Sequence, residues 1–307
     1  MSKEAEITYG KLIEESSICW RQGATQEVIS LLRKALVVKP NSLQALINLG
    51  IALQAQGDLQ AAIDAYRQAL AIKPNFPQAC FNLGTVLQAQ GDLQAAIDAY
   101  RQALTVKPNY IEALTNLGTA LREQGDLQAA IDAHRQALTV KPNYIEALTN
   151  LGIALQAQGD LQAAIDAYRQ ALTVKPNYIE ALTNLGTALQ AQGDLQAAID
   201  AYRQALAIKP NFPQACFNLG TVLQAQGDLQ AAIDAYRQAL TVKPNYIEAL
   251  TNLGTALREQ GDLQAAIDAH RQALTVKPNY IEALTNLGIA LQAQGDLQAA
   301  IDAYRQA

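Results

Sequence analysis

Eight prolines, Pro40, Pro74, Pro108, Pro142, Pro176, Pro210, Pro244 and Pro278, stand 34 residues apart, and no other feature constrains this sequence so strongly. A fixed period of 20 to 50 residues marks units too small to bury their own apolar surface, which therefore stack on their neighbours. The chain holds about nine such units, so a solenoid is expected in place of the two globular domains that length alone suggests.

Within one period the run Leu43–Gln56 places Leu46, Leu49, Gly50 and Leu53 on one helical face. After Gly57-Asp58, a second run aligns Leu59, Ala62, Ile63, Tyr66, Ala69 and Leu70 in the same way, and Lys73-Pro74-Asn75 stops it. Each unit thus reads as a hairpin of helix A and helix B. Gly57 is placed to end helix A in a left-handed conformation and Asp58 to cap helix B. Asn109 with Glu112, and Asn75 with Gln78, read as capping-box variants at the start of the next helix A. Gly50, Ala62 and Ala69 mark places where helices approach closely.

With Leu43 as position 1, the bulky residue at 4 (Leu46), Leu49-Gly50 at 7 and 8, Leu53 at 11, Gly57 at 15, Ala62 at 20, Tyr66 at 24, Ala69 at 27 and Pro74 at 32 resemble the tetratricopeptide repeat family. The resemblance implies an all-α, right-handed superhelical solenoid of antiparallel helix pairs. Residues 1–8 then form an N-terminal extension and 9–42 a degenerate first repeat, with Glu15 and Ser16 at the Leu-Gly positions. Seven complete repeats follow over 43–280, and 281–307 is a shortened last one. Residues 52–171 recur identically as 188–307, a displacement of four repeats, which points to segmental duplication. The sequence stops at repeat position 27, within a helix B. A continuation is therefore expected, as is end-to-end self-association through the open apolar stripe Leu297, Ala300, Ile301 and Tyr304.

Charged residues make up 17% of the chain and the net charge is -5. No Lys/Arg cluster offers the footprint of counterion-release binding, so neither nucleic acid nor an anionic membrane is an expected partner. No apolar run approaches membrane-spanning length. Met1 to Thr8 has no signal-like apolar segment, and three widely spaced cysteines suit a reducing, cytoplasmic setting.

In this family, positions 2, 5, 6, 9 and 13 of helix A line a concave groove. Position 6 is asparagine in every unit from Leu43 onward: Asn48, Asn82, Asn116, Asn150, Asn184, Asn218, Asn252 and Asn286. An amide offers a donor and an acceptor, matching a peptide backbone. The ladder is similar to the repeat arm of protein O-linked N-acetylglucosamine transferases, where groove asparagines contact the substrate backbone. Packing within the solenoid is the alternative use of such a residue. Thr115, Thr149, Thr183 and Thr251 at position 5, with Thr85, Thr119 and Thr187 at position 9, are expected to line the same groove. Phe81 and Phe217 are candidates for side-chain pockets, or else pack on the adjacent Phe76-Pro77 and Phe212-Pro213.

Arg122 and Arg258 are each followed by Glu, which disfavours a carboxylate clamp. Arg67, three residues after Asp64, reads as a solvated ion pair. His134 and His270 replace the position-24 tyrosine in separate units, and Cys80 and Cys216 take the buried position 4. These are core substitutions, with no converging nucleophile, base and orienting group. No metal, cofactor or catalytic site is expected. The reading is a protein-interaction scaffold for an extended segment, not an enzyme, with the recruiting arm of a larger glycosyltransferase-type enzyme as the alternative.

Overall fold

In the computed structural model, which describes residues 2–307, the chain is helical with no strand among the described residues. The helices gather into two compact units divided after Gln158. The first contains α1 (Lys3–Arg21), α2 (Thr25–Val38), α3 (Leu43–Gln56), α4 (Leu59–Ile72), α5 (Pro77–Gln90), α6 (Leu93–Val106), α7 (Ile111–Gln124), α8 (Leu127–Val140) and α9 (Ile145–Gln158). The second contains α10 (Leu161–Val174), α11 (Ile179–Gln192), α12 (Leu195–Ile208), α13 (Pro213–Gln226), α14 (Leu229–Val242), α15 (Ile247–Gln260), α16 (Leu263–Val276), α17 (Ile281–Gln294) and α18 (Leu297–Gln306). Within each unit every helix packs against its successor. Residues 3–8, expected as an extension, are continuous with α1.

Helix A ends as its sequence dictates. Gly57 has φ 87°, a region costly for any residue with a Cβ, and the Asp58 N–H reaches back to the Leu53 carbonyl at 3.0 Å. The Asp58 carboxylate then accepts the Ala61 N–H at 3.2 Å and starts helix B.

The start of helix A departs from the capping-box reading. Tyr110, not Asn109, is the N-cap of α7, and Phe76 holds that place before α5; neither supplies a side-chain cap. Burial explains the choice. The Tyr110 ring packs with Cys80, Ala103 and Ala113, its hydroxyl donates to Gln78 at 2.9 Å, and Lys107 lies 4.2 Å above its face. A ring wedged in the junction leaves no acceptor free for the helix terminus. The proposed Asp64–Arg67 pair is also not formed: Asp64 instead accepts the Gln60 amide at 3.1 Å.

Close approach is greatest at position 8. A Cβ built on Gly50 would meet the Tyr66 ring at 2.5 Å, and one on Gly84 the Tyr100 ring at 2.6 Å. At these positions only glycine leaves room for the helix-B ring against helix A. A glutamine relay on the hairpin edge adds a polar tie between repeats. Gln90 donates to Gln60 at 3.3 Å, Gln124 to Gln94 at 3.0 Å and Gln158 to Gln128 at 3.1 Å. On α18, Leu297, Ile301 and Tyr304 are exposed while Ala300 is buried.

Candidate functional site

Successive A helices touch one another, α3 with α5, α5 with α7 and α7 with α9 in the first unit, and the same holds for α11, α13, α15 and α17 in the second. The A layer is therefore the inner surface of each unit. On it Asn48, Asn116, Asn150, Asn184, Asn218, Asn252 and Asn286 are half-buried, and Asn82 is buried. Gln78 and Gln214 donate to the Asn82 and Asn218 amide oxygens at 2.9 Å. In the second unit a cleft of about 570 Å³ opens beside Asn184, walled by Tyr178, Glu180, Thr183, Phe212 and Gln214.

Position 5 is mostly packed away, although Thr183 also borders the cleft. Thr115, Thr149, Thr183 and Thr251 are buried, and each hydroxyl donates to the carbonyl four residues back: Ile111, Ile145, Ile179 and Ile247, at 2.8–2.9 Å. Phe81 and Phe217, at the same position, are packed instead of forming pockets. The Phe81 ring lies 5.1 Å from Tyr110 and 6.0 Å from Tyr100. Phe217 repeats this with Tyr246 and Tyr236 at 5.2 and 6.0 Å. The cause is direction: position 5 points to the junction with the following N-cap ring, so its side chain joins the core.

Position 9 is half in the groove. Thr85, Thr119 and Thr187 donate to the carbonyls of Phe81, Thr115 and Thr183 at 3.0–3.1 Å. Their oxygens remain acceptors, and Thr187 lies 3.1 Å from the Tyr202 hydroxyl. The Tyr100 hydroxyl donates to Gln88 at 3.0 Å. Burial pushes its pKa up, against the downward pull of Thr85 and the position-6 amide Asn116 of the next repeat; Tyr202 and Tyr236 are held in the same way, with Asn218 and Asn252 as the amides. The ladder thus has two faces: one turned to the buried tyrosines, the other to the inner surface.

Where histidine replaces tyrosine, the network changes. His134 and His270 are fully buried with both ring nitrogens unpartnered. Asn150 turns to Thr119, at 3.4 Å. Arg122 takes the place of the bonding glutamine and lies 3.8 Å from Glu123, whose carboxylate also accepts Gln88 at 2.9 Å. Burial first, and then the neighbouring Arg122 or Arg258, lowers both histidines to about 4. These rings are neutral core groups at ordinary pH.

Family models described as tetratricopeptide repeat match residues 81–143, 149–214, 214–279 and 281–307, and one described as TPR repeat matches 53–91. The chain belongs to the tetratricopeptide repeat family. Among solved structures it is similar to MamA, at 30% identity and TM-score 0.51 over 53% of this chain and 95% of MamA. A tetratricopeptide repeat protein from Parabacteroides merdae shares the fold at 18% identity and TM-score 0.64, over 81% of this chain and 99% of that one. YrrB, described as a TPR protein with an unusual peptide-binding site, does so at 20% identity and TM-score 0.51, over 61% of this chain and 97% of YrrB. No curated protein matches the sequence. Tetratricopeptide arrays act as protein-interaction scaffolds, and this chain is one. Among the described residues no helix is long and apolar enough to cross a membrane, and no three potential metal ligands gather.

Proposed function

We propose that the scaffold holds an extended peptide segment along the inner face of its A helices, through the asparagine amides. The observation that carries this reading is the recurrence of one amide per repeat from Asn48 onward on that face, half-buried at all but Asn82, beside a cleft of about 570 Å³ at Asn184. An amide pairs with both groups of a peptide unit, so recognition follows the ligand backbone more than its side chains. The peptide-binding site described for the fold relative YrrB supports the same use of the fold. The cleft beside Asn184 also carries Lys175, Lys209 and Glu180, so a ligand seated there meets fixed charges and its affinity falls as salt screens them.

The test begins with peptides selected from a display library of unstructured sequences, followed by titration calorimetry. Each neutral hydrogen bond contributes about 0.5–1.5 kcal/mol, so Asn184→Ala/Asn218→Ala/Asn252→Ala should weaken binding by roughly 10- to 1,000-fold. Because Asn218 and Asn252 also border buried tyrosines, the same peptides with N-methylated backbones provide a test that leaves the protein untouched. Unchanged affinity in both arms rules the ladder out. The resemblance to glycosyltransferase arms rests on the same ladder; in that role the triple substitution would instead reduce substrate recruitment by the parent enzyme.

A further inference from the structure

The first hairpin lacks the ring that fills its successors. Leu32 on α2 stands where α4 and α6 carry Tyr66 and Tyr100, and Ser16 stands where α3 and α5 carry Gly50 and Gly84. Around the Tyr100 hydroxyl lie Gln88, Thr85 and Asn116. Their counterparts two repeats earlier are Trp20, Ser17 and Asn48. All five first-hairpin counterparts line one cavity of about 370 Å³, together with Val28, Arg21 and Ile51. Its floor is buried, with Leu32, Ser16 and Val28 no more than 3% exposed, whereas Trp20 and Ile51 at the rim are 44% and 38% exposed.

We propose that this cavity is a binding site for a phenol side chain, a tyrosine presented by a partner segment, whose ring enters beside Trp20, Ser17 and Asn48, displaced outward from the place that later repeats fill with their own tyrosine because Ser16 and Leu32 occupy it. The chain itself supplies the template. Thr85 donates to the carbonyl four residues back and keeps its oxygen open to a phenol, as Thr187 does toward Tyr202 at 3.1 Å. Ser17 makes the same backbone bond, to Ile13 at 2.9 Å, so its oxygen is left in the same role. Asn48 supplies the amide that Asn116 supplies to Tyr100. The phenol hydroxyl then donates to Ser17 and accepts from Asn48.

Sterics decide that the ring comes from outside. A Cβ at the equivalent glycines would stand 2.5–2.6 Å from the tyrosine ring, and Ser16 carries that carbon, so α2 has no room for a tyrosine in the usual pose. Leu32 is fully buried at the floor, and the cavity is open on the side of the exposed Trp20 and Ile51. Trp20 adds an aromatic wall for edge or offset contact, and Arg21 a cation at the rim. The volume falls at the lower end of small-ligand sites, about 300–1,000 Å³, enough for a single ring and its stem.

Trp20 is the only tryptophan of the chain, so its fluorescence reads this cavity directly. The probe is p-cresol, the tyrosine side chain without its backbone, titrated into the full chain with excitation at the red edge of the tryptophan band. The expected result is a saturable change in the roughly millimolar range typical of a fragment, with toluene binding several-fold more weakly for want of the hydroxyl. Asn48→Ala, at a half-buried groove position, should erase that preference. Ser16→Gly/Leu32→Tyr rebuilds the self-filled hairpin and should abolish binding while the circular dichroism is retained. Absence of a saturable change overturns the proposal, as does a toluene affinity equal to that of p-cresol with no effect of Asn48→Ala. The inference shares only Asn48 with the amide ladder and is separable from it: Asn184→Ala/Asn218→Ala/Asn252→Ala should leave p-cresol binding intact even if it destroys peptide binding.

Discussion

The hairpins α5–α6 and α7–α8 are neighbours whose B helices differ at one residue, yet the polar atom of the ring is satisfied in one and not in the other. In the first, Tyr100 lies against Gly84 and its hydroxyl is bonded to Gln88 at 3.0 Å. In the second, His134 lies as closely on Gly118, but Arg122 replaces the glutamine and both imidazole nitrogens have no partner. Identical backbones thus hold an aromatic ring by the same sterics and opposite electrostatics. A repeat fold tolerates such a difference because each unit is tied mainly to its neighbours.

Acid should widen the contrast most. Both histidines have folded pKa values of about 4 against an ordinary 6.5, so the fold favours the neutral ring. Their contribution is complete above pH 6.5 and is lost as pH falls from 6.5 toward 4, by on the order of 3 kcal/mol per ring at the bottom of that window. Urea unfolding at pH 7 and pH 5 checks this. Arg122→Gln/His134→Tyr with Arg258→Gln/His270→Tyr, which copies the α5–α6 arrangement into both places, should lose distinctly less stability on acidification. Equal losses in the two proteins would refute burial of the histidines as the cause.

A smaller effect tests the shared sterics. Gly84→Ala drives a methyl group to 2.6 Å from the Tyr100 ring, and overpacking of this kind costs about 1–3 kcal/mol. The first hairpin indicates the remedy, since there a side-chain carbon faces leucine. Tyr100→Leu in the Gly84→Ala background should therefore cost less than in the parent, and a double-mutant cycle in urea reads the coupling. Additive losses would mean that the ring does not sense position 8.

The smallest contrast separates two tyrosines. Tyr100→Phe removes a bonded hydroxyl and should cost about 0.5–1.5 kcal/mol. Tyr66, with Ile51 in place of the position-9 threonine, has only the Asn82 amide near its buried hydroxyl and no well-formed hydrogen bond, so Tyr66→Phe should cost less than Tyr100→Phe. Hydrogen exchange at the amides of α4 and α6 resolves the two; matching losses would show that hydroxyl pairing is irrelevant to the fold.

Much of the architecture was legible because local chemistry dictates it. Gly57 ends helix A and Asp58 starts helix B through groups that act within a few residues, and the periodic Leu, Ala and Tyr positions are the buried ones. The candidate groove was legible only in part. Position 6 is on the inner face, whereas at position 5 Thr115 is buried and Phe81 packs on Tyr110 while Thr183 borders the cleft, because helical spacing alone does not say which flank of a face the next repeat covers. The cavity beside Trp20 passed unread, although its signals, Leu32 for tyrosine and Ser16 for glycine, are plain once the repeats are aligned.

The sequence by itself determined the period, the hairpin and its turns, since backbone conformation and apolar spacing are fixed by neighbours along the chain. Only the tertiary structure decided that Tyr110 displaces a polar cap at α7, that Asp64 bonds Gln60 and not Arg67, and that the asparagines look both to buried tyrosines and to the inner face. The Asp64–Gln60 bond is a local choice between two partners on one helix; the Tyr110 cap and the orientation of the asparagines depend on contacts between repeats, where burial of a ring or an amide outweighs the local preference, and that competition is settled only when the repeats stack.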